Sequence, residues 1–522
     1  MTLSSSSRCV ALVRGPIVTA AGAVNNEATP AIALAYIAAT IRKGGYEPVL
    51  VDAIADGLNR IWHLDKYPGF GCQGLTFAEI IEQIPADVRV IGVSGMFSSE
   101  WPVMRDLITE IRAQFPHALL VAGGEHVTAL TEYSLRDCPA LDVCVRGEGE
   151  RTFLALLDAW YESGTYEGVP SLGYLDAAGV YRESSGVARI RDVDSLPWPE
   201  WPEGYLEKFW AAGKSFGIGT ARDMPFMLSR GCPYRCTFCS NERMWTTRYI
   251  LREIDDVIAE LKHYIERYDI TSVQLYDLTA IVNRNWLLEF AARIQAEGIA
   301  IQWSTPSGTR SEALDQQGLA ALRQIGCQYL VYAPESGSAE TLKRIQKRID
   351  LNKLTASVLE AKRQGYTIRI NLILAFPEDT WMDLIKTIFY GLKMAARGVD
   401  EVPFYIFSPY PGTAIFETLR DDQRLALNDS FFFRLSALNS AYLSADVLSF
   451  NPRMNPRVLG MIRLGGLLTT YAVGYLLYPK RIVRTLKAVF GSEHRSFTVF
   501  EHRLKDMMAR RRAVVGDDRP SS

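Results

Sequence analysis

Three of the eight cysteines in the chain, Cys232, Cys236 and Cys239, fall within the stretch RGCPYRCTFCSN (230–241). A buried thiol usually serves singly, as a small hydrophobe. Three thiols in a loop of glycine, proline and arginine suggest ligands instead. Their spacing is C-x3-C-x2-C, and thiolates are soft donors that suit iron–sulfur clusters or zinc. A four-iron cluster held by three cysteines leaves one iron unsaturated, just as a catalytic metal keeps one position free. Zinc is the competing reading. It would want a fourth ligand, and neither a second CxxC nor a histidine pair lies nearby. Three structural thiols are the plain alternative.

The rest of the chain must position that loop. With 522 residues it exceeds one ordinary core, and two to four domains are expected. A hydrophobic share of 48% and a formal net charge of −2 describe a well-packed globular protein without a basic field for nucleic acid. The N-terminal MTLSSSSRCVALV lacks a charged n-region, a long apolar h-region and a cleavage site, so secretion is not expected. In a reducing cytoplasm, the expected location, clustered cysteines act as metal ligands or catalytic thiols.

Strand-like runs alternate with helical ones from the start. CVALV (9–13), VLVDA (49–53), VRVIGVSG (88–95), ALLVAGG (118–124) and LDVCVRGEGE (141–150) read as strands, with helices at 31–48 and 101–116 and after residue 150. This order predicts an α/β domain over 1–165, a doubly wound parallel sheet with its ligand site at the strands' C-terminal ends. Turn formers fill 166–220, a linker with a small hairpin. A second series over 221–420 supplies six strand runs: PFMLSRG, SVQLYD, AIQWST, YLVYAPES, IRINLILAF and VPFYIFSP. Six βα units predict a partial (β/α)6 barrel with its chemistry at the C-terminal mouth. Residues 421–522 read as a helical, apolar C-terminal region.

The cysteine segment, with Phe238 just before the last thiol and the whole lying after a barrel's first strand, resembles the signature of the radical S-adenosylmethionine (SAM) superfamily. The resemblance implies that Cys232, Cys236 and Cys239 hold a [4Fe-4S] cluster whose open iron takes SAM's amino and carboxylate groups. An electron then cleaves the sulfonium to a 5′-deoxyadenosyl radical. Phe238 would lie near the adenine. Later strand ends agree in order over about 200 residues. YDLTAIVNRNW makes Asp277 a candidate for SAM's ammonium, and WSTPSGTR makes Arg310 one for its carboxylate. YAPESGS places Glu335 and Ser336 near the ribose hydroxyls or amino group. LAFPEDT and FSPYPGT resemble the family's later strand ends.

No G-x-G-x-x-G follows the first strand, which argues against a dinucleotide in the N-terminal sheet. Joined to such a barrel, the sheet resembles the Rossmann-like cobalamin-binding domain of cobalamin-dependent radical SAM enzymes. Ser94, Gly95, Gly123 and Gly124 match positions that admit the cobalamin tail, where small residues let it thread against backbone. Glu148, in the turn RGEGE, would face the barrel. Cobalt-ligating folds carry D-x-H-x-x-G, whereas here DAIADG (52–57) has Ile54 in the histidine's place. A five-coordinate or water-bound cobalt is therefore expected, with His63 as a remote substitute.

The resemblance implies methylation of an unactivated carbon by way of methylcobalamin. The rivals are ring formation or oxidation, as in the anaerobic magnesium-protoporphyrin monomethyl ester cyclase group, and a non-catalytic cobalamin or cluster sensor. The implied partners are a hydrophobic small molecule and an electron donor such as flavodoxin or ferredoxin. The apolar run Leu464–Leu477 is too short to span a bilayer at fourteen residues. A helix packed over the barrel mouth is expected there. Peripheral membrane contact, aided by Arg484, Lys487 and Arg510–Arg512, is the alternative. FFFRLSALNSAYL (431–443) would line a substrate pocket.

Overall fold

The run CVALVR folds as β1 (Cys9–Arg14), and its side chains divide between two cores. Val10 and Leu12 face one layer, Ala11 and Val13 the other. A strand buried on both faces needs this continuous apolar sequence, as parallel sheets do. The chain is described here from a computed structural model covering residues 8–20, 28–214, 218, 220–310, 314–440, 448–490 and 497–505.

After β1 come β2 (Ile17–Ala20), β3 (Glu47–Asp52), β4 (Ile61–His63) and β5 (Phe70–Gln73). Then follow β6 (Val90–Ser94), β7 (Leu119–Gly123), β8 (Val143–Val145), β9 (Leu172–Leu175) and β10 (Tyr181–Glu183). The main sheet has the order β10-β9-β8-β7-β6-β1-β3. Its β8, β7, β6, β1 and β3 are parallel. The helices Ile32–Lys43 and Gly149–Ser163 cover one face through Ile41, Phe153 and Leu156. Helix Trp101–Gln114 covers the other through Met104, Leu107 and Ile111. The chain leaves β1 toward β3 and returns to β6 on the opposite side, which puts a topological switch point beside the ends of β1 and β6. The hairpin expected in the linker forms as β9 and β10, but it extends the main sheet antiparallel to β8. A small sheet, β2-β5-β4, stands apart and was not foreseen.

The second series gives β11 (Asp223–Phe226), the short β12 (Ser229–Arg230) and β13 (Ile250–Leu251), then β14 (Ser272–Leu275) and β15 (Gln302–Thr309). It ends with β16 (Cys327–Glu335), β17 (Thr367–Leu374) and β18 (Phe404–Ile406). Strands β11, β14, β15, β16, β17 and β18 lie side by side in chain order, all parallel. This is the six-stranded partial barrel that the sequence predicts.

In the C-terminal region, helix Asp429–Ser440 turns Phe431, Phe432 and Phe433 toward the N-terminal domain and not into a substrate pocket. Phe432 lies 5.5 Å from His126, and Phe433 lies 4.8 Å from Phe70. Asp429 pairs with Arg105 at 2.9 Å. Residues 441–443 of that expectation, and Arg510–Arg512, fall outside the described residues. The apolar run at 464–477 belongs to a longer helix, Pro456–Leu477, of 22 residues. By length and composition it could cross a membrane. It lies along the barrel's flank, against helix Trp381–Ala396 and β18, and not over the mouth. Gly466 permits this contact, because a Cβ there would come within 3.1 Å of the Phe404 ring.

Candidate functional site

The cysteine loop is braced from several sides. Asp277, fully buried after β14, accepts from the Leu228 amide at 3.1 Å and from Ser229 Oγ at 2.5 Å. It thereby fixes the segment that enters the loop. Burial lifts its carboxyl to about 6, against the pull of those hydrogen bonds. Gly231 has φ +83°, and a Cβ there would strike the Arg248 carbonyl. Asn241 Nδ2 donates to the Cys232 carbonyl at 3.0 Å, and the Thr237 amide donates to Ile345 O at 3.1 Å. Cys232 and Cys236 are half-buried, and Cys239 is exposed. The thiols of Cys236 and Cys239 are raised mainly by desolvation, and each feels the charge of its neighbouring cysteines. Among the described residues no three acidic, histidine or cysteine side chains converge on one point as a mononuclear metal would require.

Glu335 ends β16 at φ +68°, a left-handed conformation that a non-glycine residue rarely holds without a purpose. Its carboxylate pairs with Lys347 Nζ at 2.9 Å. Lys347 also stands 5.9 Å from the centre of the Phe238 ring and lowers the pKa of Cys236 by its charge. Arg310 is buried with its guanidinium 3.6 Å over the ring of Tyr234, between the first two cysteines. Phe238 meets Phe376 edge-on at 5.6 Å. Cys236, Phe238, Arg310, Glu335 and Lys347 thus form one group. Ser336 turns away and shares its hydroxyl with Thr387 at 2.8 Å. Lys347 was missed in the sequence. It lies in the basic run KRIQKR, which reads as a solvated surface.

A cavity of about 270 Å³ lies where the two sheets' C-terminal ends meet. This lies just below the roughly 300–1,000 Å³ range for small-molecule sites. Ser94, Gly123, Gly124 and Glu148 line it from the first domain, and Met227, Gly231 and Tyr276 from the barrel. At Gly123 the nearest atom to an added Cβ would be 3.9 Å away, so that strand end is open. Gly95 contributes differently. Its amide donates to Gly123 O at 2.7 Å, and a Cβ would meet Val127 at 2.8 Å. Neither Ile54 nor His63 is in the wall: Ile54 is buried in the large core that includes the barrel strands, and His63 is exposed on β4. Glu125 of the cavity wall accepts from Ser240, the residue after Cys239. Glu148 accepts from Ile190 N at 2.6 Å, from Arg189 and from Arg230, which joins the cavity to the cysteine loop.

Residues 226–390 match the radical SAM superfamily, and residues 18–157 match the B12 binding domain. The chain is a radical SAM enzyme with a B12-binding domain. Its cofactors are a [4Fe-4S] cluster, SAM and cobalamin. An uncharacterized methyltransferase of Pyrococcus horikoshii is 28% identical over 410 residues, 78% of this chain and 82% of that protein. The anaerobic magnesium-protoporphyrin IX monomethyl ester cyclase of Cereibacter sphaeroides is 24% identical over 74% of this chain and 60% of its own. Among solved structures, TsrM from Kitasatospora setae is a radical S-adenosylmethionine methyltransferase with cobalamin and a [4Fe-4S] cluster bound. It has a TM-score of 0.66 at 15% identity, over 98% of this chain and 100% of that one, which establishes a shared fold.

The side chains of this radical SAM enzyme suit those groups. Three thiols within one braced loop are a donor set for a cluster. The open strand end at Gly123, beneath an apolar wall, suits a group that threads against backbone.

Proposed function

We propose that the enzyme transfers a methyl group to an unactivated carbon of a hydrophobic small molecule. The observation that carries this reading is the single cavity walled by Ser94 and Gly123 of one domain and by Gly231 and Tyr276 of the other. It brings the B12-binding strand ends to the residue before Cys232. When bound, the cluster and SAM supply one-electron access to a carbon-centred radical, and cobalamin supplies a methyl carrier.

The chain's own part is positioning. Cys232, Cys236 and Cys239 hold the cluster. Phe238, Arg310 and Glu335 face SAM, with Asp277 and Ser336 fixing the strand ends behind them. Ser94, Gly123 and Gly124 admit the cobalamin tail, Gly95 lets the strand ends close, and Glu148 ties the two domains together. The buried walls exclude water. A small one-electron carrier such as flavodoxin or ferredoxin completes the reading. So does peripheral membrane contact through the C-terminal region, by a protein otherwise located in the cytoplasm.

The test is anaerobic turnover of the reduced, reconstituted enzyme with SAM and apolar substrates, read by mass spectrometry. A product heavier by one methyl group is expected. The cyclase relative favours the second reading, in which the product carries no added methyl. A protein that never forms 5′-deoxyadenosine from SAM would be a sensor, and both catalytic readings would fall.

A further inference from the structure

Surface helices of soluble proteins bury their apolar face and expose their polar one. Two consecutive C-terminal helices also leave large apolar side chains in water. In helix Lys480–Phe490 the side turned toward the protein carries Arg481, Arg484 and Thr485 around the small, buried Ala488. Arg484 pairs with Asp400 at 3.0 Å and Glu501 at 3.3 Å. Arg481 donates to Val399 O at 3.0 Å, and Thr485 donates to Glu501 at 2.8 Å. The opposite face, Ile482, Val483, Leu486 and Phe490, is exposed, with Phe490 at 72%. These four residues fall at i, i+1, i+4 and i+8, one stripe of the helix. Helix Pro456–Leu477 repeats the exposed apolar face, although it also buries apolar residues. Leu459, Arg463, Gly466, Thr470 and Gly474 are buried, with Ile462 and Val473 against the core, while Met461, Leu468, Leu476 and Leu477 are exposed. Against it packs helix Trp381–Ala396, which exposes Trp381, Met382, Ile385 and Phe389. Twelve of the nineteen large apolar side chains exposed among the described residues lie on these three helices. Exposed apolar residues scattered singly need no explanation, but a concentration like this one does.

Charge identifies what covers the face. Lys480 and Lys487 border the apolar stripe of helix Lys480–Phe490, both exposed and neither in an ion pair among the described residues. Beside it opens a basic hollow of about 620 Å³, lined by Lys362, Arg363, Arg397, Lys480, Arg481 and Arg484 around the single carboxylate of Asp400. An apolar stripe flanked by lysines, next to a cationic hollow, is the pattern of a helix lying in a bilayer interface. We infer that helices Trp381–Ala396, Pro456–Leu477 and Lys480–Phe490 form a docking face that seats the enzyme on an anionic membrane surface, their apolar side chains entering the acyl boundary and the basic hollow receiving headgroup phosphate. Helix Pro456–Leu477 lies in the interface and does not span, because its polar side is committed to the barrel's flank. The inference deepens the peripheral contact proposed above and is independent of methyl transfer.

Flotation of the full-length protein tests it, with phosphatidylcholine vesicles containing or lacking phosphatidylglycerol. The protein should float with the anionic vesicles and far less with the neutral ones. Leu486→Glu with Phe490→Glu should abolish flotation. Each of Lys480→Glu and Lys487→Glu should weaken it by about fivefold or more at low salt. All four substitutions lie on the surface, so SAM cleavage should stay at the wild-type rate, which separates a docking result from a folding defect and from failure of the methyltransferase reading. Wild-type protein that floats with neither vesicle, or a double variant that floats as well as wild type, overturns the inference. So does a dimer that dissociates on Leu486→Glu without any vesicle binding, since the face would then be covered by a second copy.

Discussion

Arg230 uses one nitrogen, Nη1, to reach Glu148 at 3.2 Å and Glu150 at 2.8 Å. Its guanidinium also lies 4.5 Å over the ring of Tyr36. All three charged groups are buried, and the arginine stands two residues before Cys232. One cation of the barrel is thus held by two carboxylates from the turn after β8, and the cluster loop is registered against the B12-binding sheet.

Removing one member of a buried ionic network leaves the others desolvated and unpaired, at a cost of about 3–5 kcal/mol. Arg230→Met is expected to lose about 3 kcal/mol in anaerobic urea denaturation and to loosen cobalamin. Adding Glu148→Gln and Glu150→Gln should recover part of that loss, because fewer charges are stranded. A change within about 0.5 kcal/mol for the single variant would show the link to be idle.

Cys236→Ala should yield a protein without the brown iron–sulfur absorbance and without SAM cleavage. A variant that keeps both its iron content and its 5′-deoxyadenosine production would show that other ligands hold the cluster.

Lys347→Met removes the partner of Glu335 and leaves that carboxylate unpaired in a site only 8% exposed. SAM affinity should fall by roughly tenfold to a hundredfold, and Lys347→Arg should restore much of it. Iron content should be unchanged, because Lys347 is not a thiol ligand. Equal SAM affinity in wild type and Lys347→Met would remove the lysine from the site.

Two glycines of the cavity should respond in opposite ways. Gly123→Leu meets no close backbone and projects into open space, so cobalamin binding should weaken by roughly tenfold or more with stability retained. Gly147 has φ +84°, and a Cβ would come within 2.5 Å of Ala188 O. Gly147→Ala should lower stability itself, by about 1–3 kcal/mol, through a backbone conformation alanine adopts poorly. Denaturation curves with and without cobalamin distinguish the two.

His126 is 1% exposed, stacked on Trp101 at 4.6 Å with Nδ1 at 2.9 Å from Ser98 Oγ. Burial lowers its pKa to about 3. The unfolded chain therefore binds one more proton than the native state between about pH 6.5 and 3. Stability is whole above that window and declines as pH falls through it, by up to about 1.4 kcal/mol per pH unit from this residue. Denaturation at pH 7, 5.5 and 4.5 should show a shallower decline for His126→Gln than for wild type. Parallel declines would mean that the ring is solvated in the native protein.

Local spacing and period were enough to place the parallel strands of the first sheet and the six barrel strands, and to single out the trio of cysteines. Each of these depends on residues near one another in the chain: thiols within one loop, apolar runs five or six residues long, glycines at strand ends. What depended on residues far apart needed the tertiary structure. Lys347 reads as surface until folding sets it against Glu335 and Cys236, and Glu148 meets Arg230 across 82 positions. The hairpin at 172–183 reads as linker because nothing local says that β8 has a free edge for it. Ile54 stands in a stretch that resembles a ligand motif, and only packing shows that its side chain is buried in the large core and is not part of the cavity wall. The C-terminal helices show the same division. Composition reveals that they are apolar and basic, but which side faces water is fixed only when Asp400 and Glu501 draw the arginines inward.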